Sequence, residues 1–136
     1  MAFTGPVEDR LAIRDLYGTY TDVSCRGDRE GWLACFTEAG EWNTHLFRAA
    51  GRDGLRSQWD ALWANFAAVS FLGEVGMISV TGERAQARAY TREVILLADG
   101  KVYRLAGRYD DELVRVRGEW LFARRNYQPR VDELPR

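Results

Sequence analysis

Residues 82 to 125 read GERAQARAYTREVILLADGKVYRLAGRYDDELVRVRGEWLFARR, and this stretch decides the fold. Apolar and polar side chains alternate along it with period two, the pattern of strands that have one face covered. Turn signals punctuate the alternation at TGE (81 to 83), ADGK (98 to 101) and RGE (117 to 119). Four long antiparallel strands joined by hairpins follow, the first beginning after Val69. In the strand from 84 to 96, Ala85, Ala87, Ala89, Thr91 and Glu93 share one face, while Gln86, Arg88, Tyr90 and Arg92 share the other. Only the alanine face is apolar enough to lie under helices, so Glu93 falls on the concave side. In the next strand Tyr103, Leu105, Gly107 and Tyr109 alternate with Arg104, Arg108 and Asp110, and Gly107 marks a bend or a close backbone approach.

Upstream the period changes. Ile13, Leu16, Tyr17, Tyr20 and Val23 recur at spacings of three and four, the stripe of a helix, with Pro6 in its first turn and Gly27 as its stop. Asp28 then caps a short helix through REGWLACF that ends near TEAG, and EWNTHLF alternates as a short strand. Leu55, Trp59, Leu62, Trp63 and Phe66 fall on one face of a third helix over 53 to 68, with Asp53 as its cap. Helix, helix, strand, helix and four strands make an α+β domain whose helices cover one face of a curved sheet. The tail PRVDELPR reads as a frayed end.

A chain of 136 residues is read as one domain, 1 to 136, with one core. Its formal charge of -1 argues against a nucleic-acid or anionic-membrane partner. Lys101 is the only lysine and sits in a turn, a poor candidate for Schiff-base chemistry. The opening MAFTGPVEDR has no leader pattern and no run of about 18 apolar residues occurs, so a cytoplasmic protein is expected. Cys25 and Cys35 read as free thiols, and one histidine cannot complete a metal set, so no metal or other cofactor is expected.

This order of elements, with IRDLYGTYTDVSCRGDREGWLACFTEAGEW at 13 to 42 and G-x-W-x-F-x-x-R closing the quoted stretch, resembles the SnoaL-like branch of the nuclear transport factor 2-like superfamily. The resemblance implies a cone-shaped α+β roll, three N-terminal helices packed on a curved, mostly antiparallel sheet, with an apolar pocket open at one end. Relatives include scytalone dehydratase, a dehydrochlorinase, polyketide cyclases, ketosteroid isomerase and non-catalytic binding proteins, so fold alone does not choose the function. The outer sheet face carries Arg88, Tyr90, Arg92, Arg104 and Arg108 with Asp110, the aromatic and arginine mix of an interface, so a homodimer through that face is expected.

The dehydratase-type relatives use a His-Asp pair. Their Asp register is Cys25 here, and their His register, ten residues before Gly82, is Leu72. Both members are missing, and Cys25 reads as a small hydrophobe lining the pocket. In the ketosteroid isomerase register, eight residues before Asp28, stands Tyr20, a phenol that can donate to a developing enolate oxygen, while that enzyme's base falls at Thr44. Tyr20 also belongs to the apolar stripe, so a core tyrosine remains an equal reading. Asp22, about 160° around the helix from Tyr20, reads as a solvated acid or one paired with Arg26 at i+4 rather than a pocket base. Glu93 is either a desolvated acid/base or half of an ion pair with Arg104, Arg108, Arg124 or Arg125. His45, the lone histidine, faces away from Trp42 toward a rim and stays a candidate catalyst because its side chain titrates near neutrality. Tyr20, Glu93 and His45 are thus the catalytic candidates. Tyr17, Cys25, Trp42, Trp63, Phe66, Leu72, Thr91, Tyr109 and Arg125 are the expected substrate-binding set, with Trp59 and Phe71 adding apolar wall. Two functions stand: a cofactor-independent dehydratase, isomerase or cyclase acting on a small hydrophobic ring or polyketide-like molecule, or a binding or assembly module with a degenerate pocket.

Overall fold

The computed structural model describes residues 2–134. Helix α1 (Val7–Arg26) leaves Pro6 and buries Ile13, Leu16, Tyr20 and Val23, the stripe that the spacing marked. It stops at Gly27, whose φ of 66° allows the left-handed turn in which the Asp28 N–H donates to the Val23 carbonyl at 2.9 Å. A Cβ there would also press on the Trp63 ring at 3.1 Å, a tighter contact than is usual. Helix α2 (Arg29–Leu33) is capped by Asp28, which accepts from the Gly31 N–H at 3.0 Å.

The remaining elements form one seven-stranded sheet. A short β1 (Phe3–Thr4), β2 (Phe36–Asn43) and β3 (Arg48–Ala50) precede helix α3 (Gly51–Trp63). The four long strands β4 (Phe66–Thr81), β5 (Arg84–Leu97), β6 (Val102–Val116) and β7 (Glu119–Glu133) then follow as hairpins. The order across the sheet is β1-β4-β5-β6-β7-β2-β3, antiparallel except where β1 joins β4 and β2 joins β7. The sheet is curved and unclosed, and its concave face packs on the helices. There Ala85, Ala87 and Ala89 are buried as the alternation required, making room for α1, whose Tyr20 ring meets Phe71 and Phe122 at 5.6 and 5.7 Å. Burying side chains as fully as Ile13 and Phe122, both 0% exposed, contributes about 1.5–3 kcal/mol each. Among the described residues, no helix is long and apolar enough to cross a membrane.

Several boundaries differ from the sequence reading. The second helix stops at Leu33 rather than near TEAG, which pairs instead as part of β2, and the first long strand begins at Phe66 rather than after Val69. The third helix ends at Trp63 rather than 68, because Phe66 to Val69 find ladder partners in Leu97, Leu96 and Ile95. Asp53 is not its cap: the helix begins at Gly51, whose φ is 75°, and Asp53 lies in the first turn, 3.5 Å from Arg56. His45 lies in a turn rather than a strand, since the Thr44 hydroxyl accepts from the N–H groups of Leu46 and Phe47 at 3.0 and 3.3 Å and closes the chain on itself. The tail is not frayed through 133, because β7 continues to Glu133 opposite Arg104.

Candidate functional site

Between α3, the turn after β2 and the concave ends of the long strands lies a cavity of about 110 Å³. Its walls are aromatic. Trp32, Trp42, Trp59, Trp63, Phe47 and Phe66 supply most of them, with Trp59 and Trp63 stacked at 4.8 Å and Trp42 edge-on to Phe47 at 4.7 Å. The polar groups in the wall are few: Tyr20 and Ser24 from α1, Thr44 and His45 from the turn, and Glu93, Tyr103, Tyr109 and Tyr127 from the sheet.

Glu93 is the carboxylate of this cavity. The alternation of β5 sends it inward next to buried Thr91 and Ile95, and opposite it in the ladder stand Phe71 and Leu105. Among the described residues no cation bonds it: Arg108 holds Asp110, Arg124 holds Glu41 and Glu112, and Arg125 holds Asp111. Burial therefore raises its carboxyl to about 7, against a downward pull from the charge of Arg125. The phenols nearby keep their protons. Burial raises Tyr20, with Arg125 pulling the other way, and burial together with Tyr20 holds Tyr109 well above the usual range. Tyr109 also accepts from the Trp42 indole N–H at 3.0 Å, which leaves its O–H to donate, with the Tyr20 oxygen beside it. Tyr127 packs its ring over Gly107, where a Cβ would lie 2.6 Å from the phenol oxygen, the close approach that this glycine signalled.

Several expected wall residues lie elsewhere. Leu72 is 68% exposed on the outer face, and Phe71 takes the inward position. The reason is a bulge between Val75 and Met77, which shifts the alternation by one residue so that counting back from Gly82 lands on the wrong face. Cys25 is exposed, outside the cavity, its thiol held by the Phe71 backbone, donating to the carbonyl at 3.2 Å and accepting from the N–H at 3.3 Å. Tyr17 and Arg125 lie behind the wall, in a cluster with Asp111. Thr91 is buried but does not reach the cavity surface. Asp22 bonds Arg26 at 3.1 Å, as its place on the helix required. Cys35, buried, has its thiol pushed up to about 11 by desolvation and is no nucleophile. Among the described residues no three His, Cys, Asp or Glu side chains are grouped to hold a metal.

Sequence reasoning missed Trp32 and Phe47 in the wall, the place of Tyr103 there, and two carboxylates. Asp132, dismissed with the tail, meets His45 Nε2 at 2.6 Å. Asp111 accepts Arg125 at 2.8 and 2.9 Å, and its inward facing was legible from continuing the Leu105, Gly107, Tyr109 face by one step.

A curved open sheet wound around three helices, with an aromatic cavity at one end, defines the cone-shaped roll of the nuclear transport factor 2-like class. Within that class the SnoaL-like domain profile matches residues 6–126, and the chain belongs to the SnoaL-like family. No curated protein matches it significantly in sequence. Among solved structures it is similar to a Novosphingobium aromaticivorans protein provisionally described as an aromatic ring hydroxylase, 26% identical, covering 98% of this chain and 96% of that one with a TM-score of 0.86. A protein of the same organism provisionally described as a scytalone dehydratase is 23% identical over 93% of this chain and 87% of its own, TM-score 0.86. A type 2 hexachlorocyclohexane dehydrochlorinase is 18% identical over 96% and 90%, TM-score 0.85. At these last two identities the likeness is one of fold.

Proposed function

We propose that the protein is a cofactor-independent lyase or isomerase that moves a proton on a small hydrophobic ring or polyketide-like substrate, by dehydration, isomerisation or cyclisation. One observation carries the reading: Glu93 is a desolvated carboxyl without an ion-pair partner among the described residues, raised to about 7 and facing an aromatic cavity. A carboxyl poised there can take a carbon-bound proton and return it near neutral pH. Tyr20, protonated across that range and in the same cavity, donates to the substrate oxygen on which charge develops. Trp42 and Tyr109, bonded to each other at 3.0 Å, form one wall against which the substrate ring lies. Dehydratase and dehydrochlorinase descriptions among the structural neighbours, both eliminations, fit the same class.

The test is carbon-bound hydrogen exchange. Cyclic ketones and polyketide-like substrates incubated in heavy water should exchange protons next to the carbonyl, read by NMR. Glu93→Gln should slow that exchange by two to four orders of magnitude; unchanged exchange in the variant would remove Glu93 from the mechanism.

One observation favours the alternative of a binding module: at the two registers of the dehydratase pair stand Cys25, outside the cavity, and an apolar side chain, Phe71 inward and Leu72 outward. Ligand binding with no exchange in any substrate would select it. We also propose a homodimer through the outer sheet face, where Leu72, Tyr90, Val94 and Val131 are exposed among arginines; a monomer by sedimentation at micromolar concentration overturns that.

A further inference from the structure

The mouth of the cavity carries a second polar cluster that the proton-transfer reading leaves unused. His45 Nε2 and Asp132 Oδ2 meet at 2.6 Å, their side chains 26% and 25% exposed, from the turn after β2 and the far end of β7. The turn is rigid, closed by the two bonds to the Thr44 hydroxyl and by the Thr44 N–H donating to the Phe47 carbonyl at 2.8 Å. Tyr103, also in the cavity wall, stands close enough to Asp132 that burial and this carboxylate together raise its phenol far above the usual range. Its hydroxyl is buried, makes no hydrogen bond of good geometry, and has the Asp132 carboxylate as the acceptor beside it. Asp132 accepts from Nε2–H and so fixes the imidazole tautomer, which leaves Nδ1 as the ring nitrogen without a protein partner among the described residues.

We propose that His45, Asp132 and Tyr103 form a hydroxyl-recognition subsite at the cavity mouth, selecting ring ligands that carry a hydroxyl on the end nearest solvent. A hydroxyl both donates and accepts, and the subsite answers both: Nδ1 takes its proton in a hydrogen bond, and the Tyr103 O–H donates to its oxygen by turning from Asp132. A carboxylate ligand has no proton for Nδ1 and would meet Asp132 as a like charge, while a bare hydrocarbon would leave the groups of the subsite unpaired. The apolar space behind the subsite, about 110 Å³, is on the scale of a single six-membered ring. The inference rests on reading this cavity as the ligand site and adds to it which end of the ligand is polar.

The experiment compares p-cresol with toluene, isosteric but for the hydroxyl, by NMR titration followed on the indole N–H signals of Trp42, Trp59 and Trp63. The wild type should bind p-cresol about tenfold more tightly, the worth of one well-formed hydrogen bond to a preorganised partner. The Nδ1 resonance of His45 should move with p-cresol and stay with toluene. His45→Phe should bring the two probes within about twofold of each other, and Tyr103→Phe should lie between. Asp132→Asn should also weaken the preference, because an amide can turn its N–H2 toward Nε2 and hold the other tautomer. Equal binding of the probes by wild type, no shift of the indole signals with either, or a preference that survives His45→Phe overturns the proposal. A preference lost in Glu93→Gln instead would put the hydroxyl at Glu93 and overturn it as well. Neither probe has a proton next to a carbonyl, so failure of the exchange test leaves this comparison standing.

Discussion

The concave face of the sheet holds two carboxyl groups, Asp111 sealed and Glu93 half-buried, and although desolvation raises both it partners them differently. Asp111, on β6, is 3% exposed and receives both Nε and Nη2 of Arg125 and the phenol of Tyr17. Arg125 in turn lies 3.7 Å over the Tyr109 ring and 4.4 Å over Tyr20. Burial opposes its charge, but Asp111 and the neighbouring phenols hold the guanidinium well above its usual range. Glu93, on β5, has neither a cation nor a hydrogen-bond donor among the described residues, and a cavity in front of it. A matched charge sealed from solvent is architecture; an unmatched one facing open space is poised for chemistry. The two sites touch through Tyr20 and Tyr109, which line the cavity on one side and carry the guanidinium on the other.

The sharpest way to break this contrast is at the sealed end. Arg125→Met leaves Asp111 buried without its partner and should cost about 3–5 kcal/mol of folding stability, measured by denaturant unfolding. A loss under about 1 kcal/mol would mean that Asp111 is not held as a charge at all.

At the open end the sign reverses. In the unfolded chain Glu93 ionises near 4.5, whereas in the fold burial holds its proton up to about 7. Below pH 4.5 both states are protonated and Glu93 costs nothing. Between these values the unfolded state releases a proton that the fold keeps, so stability falls as pH rises, and above about 7 the penalty is constant. At about 1.36 kcal/mol for each pH unit between the two values, its size is on the order of 3 kcal/mol. Glu93→Gln should therefore match wild type in acid and exceed its stability above neutrality, while losing activity. A variant less stable than wild type at high pH would make Glu93 a structural group like Asp111.

Smaller effects are expected between and outside the two sites. Tyr20→Phe should slow carbon-bound exchange by about a hundredfold, the loss of one oxyanion donor, less than Glu93→Gln because the Tyr109 hydroxyl remains; an undiminished rate would leave Tyr20 a core residue. Leu72→Ala, on the outer face, should change stability by no more than about 0.5 kcal/mol and leave exchange untouched. A large loss of activity there would return Leu72 to the cavity and discredit the bulge as the cause of its facing.

The inward facing of Glu93 was legible because it needs only the period of one strand, counted through five positions with no irregularity between Ala85 and Glu93. Leu72 was misplaced by a different kind of counting, a register carried over from the relatives and counted back from Gly82, because that count crossed the bulge between Val75 and Met77. A bulge belongs to two strands together, and no residue in GEVGM declares it beyond two glycines, one of which, Gly76, leaves space taken by the Tyr90 ring at 3.3 Å. Asp132 was invisible for a related reason. A strand end rich in Pro, Arg and Asp has little intrinsic β preference, and it pairs only because β6 offers an edge as far as Arg104.

By itself the sequence determined the roll: the period of two from residue 84 onward, the hairpin turns, the stripe of α1, the caps at Gly27 and Asp28, and the face on which Glu93 lies. These are properties of neighbouring residues and survive being read one segment at a time. Which arginine found which acid, Arg125 choosing Asp111 and leaving Glu93 unpaired, was decided only when β7 was set beside β6 with Asp111 opposite Arg125. So was the meeting of His45 with Asp132, 87 positions apart. Ion pairs inside a protein depend on distances of a few ångströms between chain segments, and those distances do not exist until the segments have packed.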